Sequence, residues 1–212
     1  VLDIVGKGDV AVTADAKGTV EFSSPRDNTF SGTLYLRAVP RQAFGAEMLV
    51  FNSHGHVISD SNTLALENGA NVSISLGSED QFSDNSTVRI ADGSSRQLTQ
   101  ASATIGTLML DNASEDSRPS VLDTTGNLLG LNHGIMVSAN NALVHPTIKG
   151  HLNFNGFETV EVDGTGQQTE LEIQATMEGH GFEKTGNGTL FLTGANTVSG
   201  NLVVSAGTLL PN

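Results

Sequence analysis

The fold is decided by the stretch GFEKTGNGTLFLTGANTVSGNLVVSAGTL, residues 181–209. It contains two short strand candidates, Thr189–Leu192 and Asn201–Val204, and a third pattern of the same kind begins at Gly207. Each places β-branched residues or Leu at alternate positions, and Gly, Asn and Ser lie between them. Side chains two residues apart in a strand point to the same face, so each strand can bury one apolar face. The stretch therefore predicts short strands joined by tight turns.

A five-residue pattern recurs along the chain. It consists of a small or polar residue, then Thr, an apolar residue, any residue and a second apolar residue. Its copies are GTVEF (18–22), GTLYL (32–36), NTLAL (62–66), STVRI (86–90), GTLML (106–110) and GTLFL (188–192). Neighbouring copies often lie 14 to 30 residues apart, and one coil of a short-period solenoid takes about 20–30 residues. The leading Gly or Asn is expected to supply the turn and to tolerate positive φ. We therefore predict a single all-β solenoid of roughly nine or ten coils, with strands about 4.8 Å apart.

The remaining strand candidates are equally short. They are Val72–Leu76, Val121–Asp123, Gly134–Ser138, His151–Phe154, Thr159–Val162 and Glu170–Ile173. Only Arg41–Val50 and Arg96–Ala103 indicate a short helix or an irregular excursion. With 24 Gly, 5 Pro, no Trp and 5% aromatic residues, the chain suits a thin core of Val, Leu and Ile. A β-sandwich, with a core of larger side chains, is the competing fold.

The charge and the absence of cysteine exclude several functions. A formal net charge of −13 with only 10 basic residues argues against nucleic acid and against anionic lipid surfaces as partners. Without Cys the chain has no disulfide, no thiolate nucleophile and no Cys-based metal site. No apolar run is long enough for a membrane-spanning helix, and the chain opens at Val1 without a signal peptide. We therefore expect a piece of a longer exported protein, with its targeting and anchoring segments elsewhere.

Residues 181–209 resemble the passenger-associated transport repeat of autotransporter passenger domains. The resemblance rests on KTGNGTL (184–190), GANTVSG (194–200) and AGTL (206–209). A weaker, degenerate relative is GTVEFSSPRDNTFSGTLYL (18–36), in which NTFSG matches the NTVSG of the stronger copy. The chain is thus similar to the adhesin-like passengers of type V secretion, and between the two copies it shares only the GTL-type strands.

This resemblance implies that residues 1–212 form one right-handed parallel β-helix, part of a larger passenger. It implies display at the bacterial cell surface, with outer-membrane anchoring through a C-terminal barrel that lies outside this chain. Family members of this type promote adhesion, aggregation, biofilm growth and virulence. We therefore expect adhesion or self-association through polar faces of the rod, with other copies of the chain or host or bacterial surface ligands as partners. An inert stalk or secretion-folding module, and a polysaccharide-processing β-helix enzyme, remain as alternatives.

Enzymatic activity is not expected, and no catalytic residue is assigned. The chain lacks a Gly-Asp-Ser-Gly-like element and a Gly-x-Ser-x-Gly elbow around a serine nucleophile. Two carboxylate pairs, Glu161 with Asp163 and Glu170 with Glu172, are two residues apart and therefore share a strand face. A glycosidase needs two carboxyls about 5–10 Å apart, but sugar sites usually add aromatic platforms and Tyr35 is the only Tyr. A solvated acidic face is the favoured interpretation.

Metal and cofactor sites are not expected either. His54 and His56 in SHGH would share a face of an extended segment, but no third ligand is recognisable. Asp80 and Asp84 in GSEDQFSDNS (77–86) offer oxygen ligands for calcium, but the loop lacks the Gly and closing Glu of an EF-hand. Surface turn residues are the favoured interpretation of both pairs.

One basic cluster and four short glycosylation-like patterns complete the candidates. Arg26, Arg37 and Arg41 could pair with an acidic face of another copy, although ordinary surface charge explains them equally well. The N-x-Ser/Thr patterns arise by chance in a chain rich in Ser and Thr, and they begin at Asn71, Asn85, Asn112 and Asn187.

Overall fold

A computed structural model describes most of the chain. The described residues are 5–14, 19–22, 29–38, 47–51, 56–60, 62–76, 80–99, 102–112, 118–139, 141, 143–164 and 169–212. Within these ranges the fold is all-β without helix, and accordingly no helix there could span a membrane. The strands are β1 (Val5–Lys7), β2 (Val10–Ala14), β3 (Thr19–Phe22), β4 (Thr29–Ser31), β5 (Thr33–Ala38), β6 (Glu47–Phe51), β7 (Thr63–Glu67), β8 (Asn71–Leu76), β9 (Thr87–Ala91), β10 (Ser95–Thr99), β11 (Ala103–Asp111), β12 (Val121–Ala139), β13 (Thr147–Phe154), β14 (Glu158–Gly164), β15 (Leu171–Ile173), β16 (Thr176–Gly179), β17 (Phe182–Thr185), β18 (Thr189–Leu192), β19 (Leu202–Val204) and β20 (Thr208–Pro211).

The strands pair in parallel on three sides of a coil, which makes the chain a parallel β-solenoid. Side 1 carries β1, β4 and β16 with the first part of β11, the middle of β12 and the end of β13. Side 2 carries β2, β5, β7, β9, the end of β11, the end of β12, β14, β17 and β19. Side 3 carries β3, β6, β8, β10, the starts of β12 and β13, β15, β18 and β20. The chain visits the sides in this order, and β11, β12 and β13 continue around corners.

The core is a set of ladders of inward side chains. One ladder on side 2 joins residues that pair from coil to coil, and it runs Val10, Leu34, Leu64, Val88, Leu108, Ile135, Val160, Lys184, Val204. From Leu34 to Lys184 every member is buried. Successive partners lie between 20 residues (Val88 to Leu108) and 30 residues (Leu34 to Leu64) apart. Each buried aliphatic side chain contributes about 1.5–3 kcal/mol, so the solenoid is held together by this repetition.

Phenylalanine rings stack inside the coil. Phe22, Phe51 and Phe82 follow one another with ring centroids 5.6 Å apart in each pair, and Phe154 lies 5.5 Å from Phe182. Aromatic pairs of this kind add about 0.5–1.5 kcal/mol beyond burial. The thin aliphatic core expected from the composition is therefore supplemented by short aromatic stacks.

The structure has about six turns, fewer than the nine or ten coils predicted. A turn is complete where all three sides carry a strand. In the turns through Ile58, Phe82 and Asn196, side 1 is represented only by an isolated bridge residue. The prediction was too high because it treated every coil-length stretch as complete, whereas the described backbone at these positions forms no strand on side 1.

The GTL copies do not all lie on one side. GTVEF (18–22) and GTLFL (188–192) contain β3 and β18 on side 3, whereas GTLYL (32–36) contains β5 on side 2. The spacing between copies is therefore of two kinds. Copies on the same side are separated by whole coils, whereas a copy on side 3 and the next copy on side 2 are separated by only part of a coil. The stretch 18–36 passes from side 3 through side 1 to side 2, and so does the stretch 188–204.

The prediction of a short helix or an irregular excursion at Arg41–Val50 and Arg96–Ala103 is wrong where the structure describes these residues. Residues 95–99 form β10 and residues 47–51 form β6, while residues 41–46 lie outside the described part. The strand at β10 was missed because Arg96 takes an inward position, in register with buried Val72 and Leu122. A charged residue at a core position conceals the alternation on which strand prediction depends.

The leading residue of the GTL copies has more than one role. Gly207 has the expected positive φ, +71°, but Gly106 does not, and the expectation is wrong there. A Cβ on Gly106 would lie 2.9 Å from the carbonyl carbon of Asn85 and 3.0 Å from Cδ2 of His133. Asn62 lacks positive φ as well, and its Nδ2 donates to the main-chain oxygen of Phe30 at 2.7 Å. Close approach between coils, rather than φ alone, selects these residues.

Candidate functional site

The outer face of side 2 carries a groove of about 130 Å³. Parallel pairing aligns outward residues of four successive coils in two columns along the rod axis. The first column is Arg89, Met109, Met136 and Glu161, and the second contains Asp111, Ser138 and Asp163. The groove runs between these columns and combines an apolar middle with charged ends.

A network of ion pairs closes one end of the groove. Arg89 donates from Nη1 to Oε1 of Glu67 at 2.7 Å and from Nη2 to Oδ2 of Asp111 at 2.8 Å. These two carboxylates outweigh the effect of burial and raise the pKa of Arg89. Arg37 donates to the other oxygen of Glu67 at 2.9 Å and lies over the ring of Tyr35 at 4.1 Å. The cations at this end are therefore neutralised within the chain.

This arrangement bears on the predicted basic cluster. Arg37 is engaged by Glu67 and Tyr35, whereas Arg26 and Arg41 lie outside the described residues. Within the described residues, the Arg37 side chain therefore already has one ion pair and one aromatic contact inside the chain.

The other end of the groove is acidic. Glu161 and Asp163 lie on β14 and alternate with buried Val160 and Val162, so both carboxylates face outward and line the groove. Neither makes a salt bridge with any residue in the described ranges. This is the carboxylate pair whose shared face was predicted from the i, i+2 spacing.

The second predicted pair does not share a face. Glu170 is only 1% exposed, and its Oε2 accepts a hydrogen bond from the main-chain N–H of Thr189 at 2.6 Å. Glu172 is partly exposed, and accepts from the ring of His145 at 3.3 Å and from the hydroxyl of Thr193 at 3.1 Å. The prediction was wrong because β15 begins at Leu171, so the alternation of a strand does not extend to Glu170.

Lys184 is a polar member of the core of the coil that the sequence did not predict. Its side chain is completely buried, and Nζ donates to the main-chain oxygens of Thr185 (2.5 Å), Gly186 (2.9 Å) and Ala206 (3.2 Å). Burial lowers its pKa, and the nearby carboxylates of Asp163 and Glu170 oppose that effect. The available signal was its position two residues after Phe182 in β17, which places it on the inward face.

A second, more open cavity of about 490 Å³ lies at the corner between sides 1 and 2, lined by His56, Ser59, Asp60, Asp80, Ser83, Asp84 and Asn85. Asp80 accepts main-chain hydrogen bonds from Phe82 at 3.1 Å and from Thr104 at 2.9 Å. Burial raises the pKa of Asp80, and the two N–H groups and His56 counteract it. The structure thus brings Asp80 and Asp84 to one cavity, as a calcium site would require.

The arrangement stops short of a metal centre. Across the described ranges, no group of three or more His, Cys, Asp or Glu residues is placed to hold a metal ion. Of the predicted histidine pair, His56 lines the corner cavity, and His54 lies outside the described residues.

Amide side chains join successive coils by hydrogen bonds along the same corner. Asn155 Nδ2 donates to Asn132 Oδ1 at 2.7 Å, and Asn132 Nδ2 donates to the main-chain oxygen of Asp84 at 3.1 Å. Among the glycosylation-like positions, Asn112 is buried and donates to the main-chain oxygen of Val144 at 2.9 Å. Asn71 Oδ1 accepts from the hydroxyl of Ser95, and Asn187 Oδ1 accepts from the main-chain N–H of Gly164, in each case on a neighbouring coil. Asn85 Oδ1 contacts the ring of His133 at 3.1 Å, two coils further along the rod.

Comparison with known proteins identifies the last coils. Residues 182–210 match the family model of the passenger-associated-transport-repeat, a repeat found in autotransporter passenger domains. The match contains β17, β18, β19, all of β20 except its last residue, and the buried Lys184. No curated protein and no solved structure matches the chain. The repeat and the parallel β-solenoid together fit an autotransporter passenger segment.

Proposed function

We propose that this chain is a surface-displayed segment of an autotransporter passenger that mediates adhesion or self-association through the outer faces of a rigid, right-handed β-helix. The match of residues 182–210 to the passenger repeat carries this proposal, because that repeat implies a secreted or cell-surface protein. The parallel pairing supports it, since the repeat continues the same three-sided coil as the rest of the chain. Right-handed winding is the general rule for parallel crossovers.

The structure supports a distributed mechanism of binding. Outward positions on neighbouring coils are aligned by main-chain pairing, so polar side chains form rows without any need for a folded loop. Each hydrogen bond to a partner contributes about 0.5–1.5 kcal/mol. A rigid backbone lowers the entropy cost of each contact, and many copies on a cell multiply the effect.

The charges favour a partner other than the chain itself. The protein has a net charge of −13, so copies repel one another at low ionic strength. Of the seven described basic residues, Arg37 and Arg89 are paired within the chain, Arg96 and Lys184 are buried, and Lys7, Arg118 and Lys149 are exposed. A basic partner surface would instead be attracted to this acidic rod.

A stalk or secretion-folding module is the second candidate function. It is favoured by Lys184 within the passenger repeat, whose ammonium binds main-chain oxygens of the solenoid rather than facing solvent. The groove beside Glu161 and Asp163 gives little support to the polysaccharide-processing alternative, because it measures about 130 Å³ and ligand pockets commonly measure about 300–1,000 Å³.

Display of residues 1–212 on an autotransporter carrier with no adhesive activity tests the proposal. We expect cells that display the chain to clump, or to attach to host or bacterial surfaces, more than cells with the empty carrier. The carrier with an unrelated polar solenoid of similar length is the matched control. If clumping and attachment both equal that control at equal surface density, the stalk function replaces the adhesive one.

A further inference from the structure

We propose that the groove on side 2 is a docking site for an arginine side chain of an extended segment of another protein. The site lies between Met136 and the carboxylates of Glu161 and Asp163. This inference deepens the proposed adhesive function by giving the chemistry of the partner, and in its biological role it rests on that function.

The middle of the groove suits the alkyl part of a long side chain. Met109 and Met136 occupy equivalent outward positions on adjacent coils, and Met136 is 43% exposed. Methionine side chains are flexible and polarizable, so they adapt to the shape of a partner. Arginine can bury its aliphatic stem along such a surface while its charged head reaches a polar group.

The acidic end supplies that polar group. Glu161 and Asp163 project from one face of β14, and the buried Val160 and Val162 hold the strand in position. Both carboxylates are without an ion-pair partner in the described part of the chain. The charge of Lys184 acts on Asp163 from inside the coil, but Nζ of Lys184 donates to three main-chain oxygens and makes no ion pair with either carboxylate. The negative charge of this end is therefore available to a cation from outside.

The opposite end prevents the groove from taking an anion. Arg89 lies there, but Glu67 and Asp111 both bind its guanidinium, at 2.7 Å and 2.8 Å. Arg37 and Arg89 are thus balanced by Glu67 and Asp111, whereas Glu161 and Asp163 line the other end without an ion pair to any described residue. The charge of the groove is therefore negative, and it is concentrated at the Glu161 end.

The size of the groove limits its occupant to one side chain. Its volume of about 130 Å³ is well below the roughly 300–1,000 Å³ of common small-molecule pockets. A planar guanidinium has five N–H donors in a fixed arrangement that matches carboxylates, and this makes arginine a better occupant than a compact ammonium. The net charge of −13 would also accelerate the approach of a basic segment.

Peptide binding to the purified 212-residue chain tests the site. The probe is a fluorescent, end-blocked Ser-Gly-Leu-Arg-Leu-Gly-Ser peptide, and the same peptide with citrulline in place of arginine keeps the shape without the charge. By fluorescence anisotropy at low salt we expect the arginine peptide to bind roughly tenfold more tightly, a difference of about 1.4 kcal/mol. Equal binding of the two peptides would overturn the proposal.

Variants of equal charge separate the site from the general acidity of the rod. The double variant Glu161→Gln with Asp163→Asn should weaken arginine-peptide binding roughly tenfold. The control is Glu21→Gln with Glu178→Gln, which removes two exposed carboxylates from sides 3 and 1, and it should keep binding within about twofold. Equal weakening by both pairs would show attraction without a site and would reject the proposal. Thermal unfolding of each variant verifies that the coil is intact.

Display of the same variants on cells distinguishes this inference from the proposed function. If the purified chain binds the arginine peptide but the displayed chain confers no attachment, the proposed adhesive function is rejected and the proposed arginine site in the groove is retained. If displayed chain confers attachment that the Glu161→Gln and Asp163→Asn pair leaves unchanged, the adhesive function stands and the role of the groove in it is rejected.

Discussion

Lys184 joins two successive coils of the solenoid through Ala206. Nζ of Lys184 donates to the main-chain oxygen of Ala206 at 3.2 Å, and it also binds the oxygens of Thr185 and Gly186 in its own coil. A lysine thus takes the place that aliphatic residues occupy elsewhere in the same ladder, between Val160 and Val204. The ammonium group thus donates to oxygens at the end of β17, in the turn that follows it, and after β19 in the next coil.

Replacement of Lys184 by Met should loosen the last coils. Met keeps the length and the apolar stem but leaves the three oxygens without their donor, and we expect a loss of about 1–3 kcal/mol in local stability. Hydrogen exchange of residues 182–210 should accelerate relative to residues 62–76. Lys149→Met, at an exposed position on side 3, is the matched control. Unchanged exchange in Lys184→Met would show that the hydrogen bonds do not hold the coils.

Substitution of Gly106 by Ala should disturb the corner between sides 1 and 2. The added Cβ would lie 2.9 Å from the carbonyl carbon of Asn85 and 3.0 Å from Cδ2 of His133, and such overpacking costs about 1–3 kcal/mol. Thermal unfolding of Gly106→Ala measures this loss. Addition of His133→Ala should recover little stability, because the contact with the main chain of Asn85 remains. Full recovery in the double variant would place the whole effect on His133.

Replacement of Arg96 by Met should leave the free energy of unfolding unchanged or increase it by about 1 kcal/mol or more. The guanidinium is buried, none of its nitrogens donates to a described residue, and it lies over the ring of Phe82 at 4.8 Å. Burial lowers its pKa to about 9, and the charge of Asp80 opposes that effect, so at neutral pH a charge is buried at a cost.

Chemical denaturation of Arg96→Met and Arg96→Ala measures the balance. The Ala variant should lose about 2 kcal/mol or more, since it leaves a cavity against Phe82. A loss in the Met variant as large as that in the Ala variant would mean that the charge of Arg96 stabilises the coil.

Glu172 should give side 3 a stability that depends on pH. Burial tends to raise its pKa, but hydrogen bonds from Gln174, His145 and Thr193 outweigh burial and lower the pKa below the ordinary 4.5. Because the pKa of Glu172 is lower in the folded chain than in the unfolded chain, its carboxylate stabilises the fold at pH values above the ordinary glutamate pKa. This stabilisation is lost as the pH falls through the pKa of Glu172 in the folded chain.

Thermal unfolding between pH 6 and about pH 3 tests this dependence. Glu172→Gln should unfold at a lower temperature than the unsubstituted chain at pH 6, and the difference should shrink toward zero in acid. Glu178→Gln, which changes an exposed carboxylate on side 1, is the control and should show no such convergence. A difference that stays constant across the range would assign the effect to packing instead of charge.

The sequence by itself determined the local elements and the family of the last coils. Alternation of Thr and aliphatic residues predicted strands such as Thr33–Leu36 and Thr107–Leu110, which lie within β5 and β11. Local alternation suffices there, because a strand with one apolar face must bury that face. The passenger repeat was likewise recognisable at residues 181–209, since it is a contiguous pattern of glycines, Asn-Thr and strand residues.

Only the tertiary structure decided what each strand contacts. It placed GTLFL on side 3 and GTLYL on side 2, turned Glu170 inward and left Glu161 and Asp163 together at the edge of a groove. It also showed that Arg96 and Lys184 occupy core positions. These outcomes depend on how residues 19 to 30 apart come into register, and that register is set by turn lengths and by packing between coils. No local pattern of polarity contains that information, because the partner residues belong to different turns of the chain.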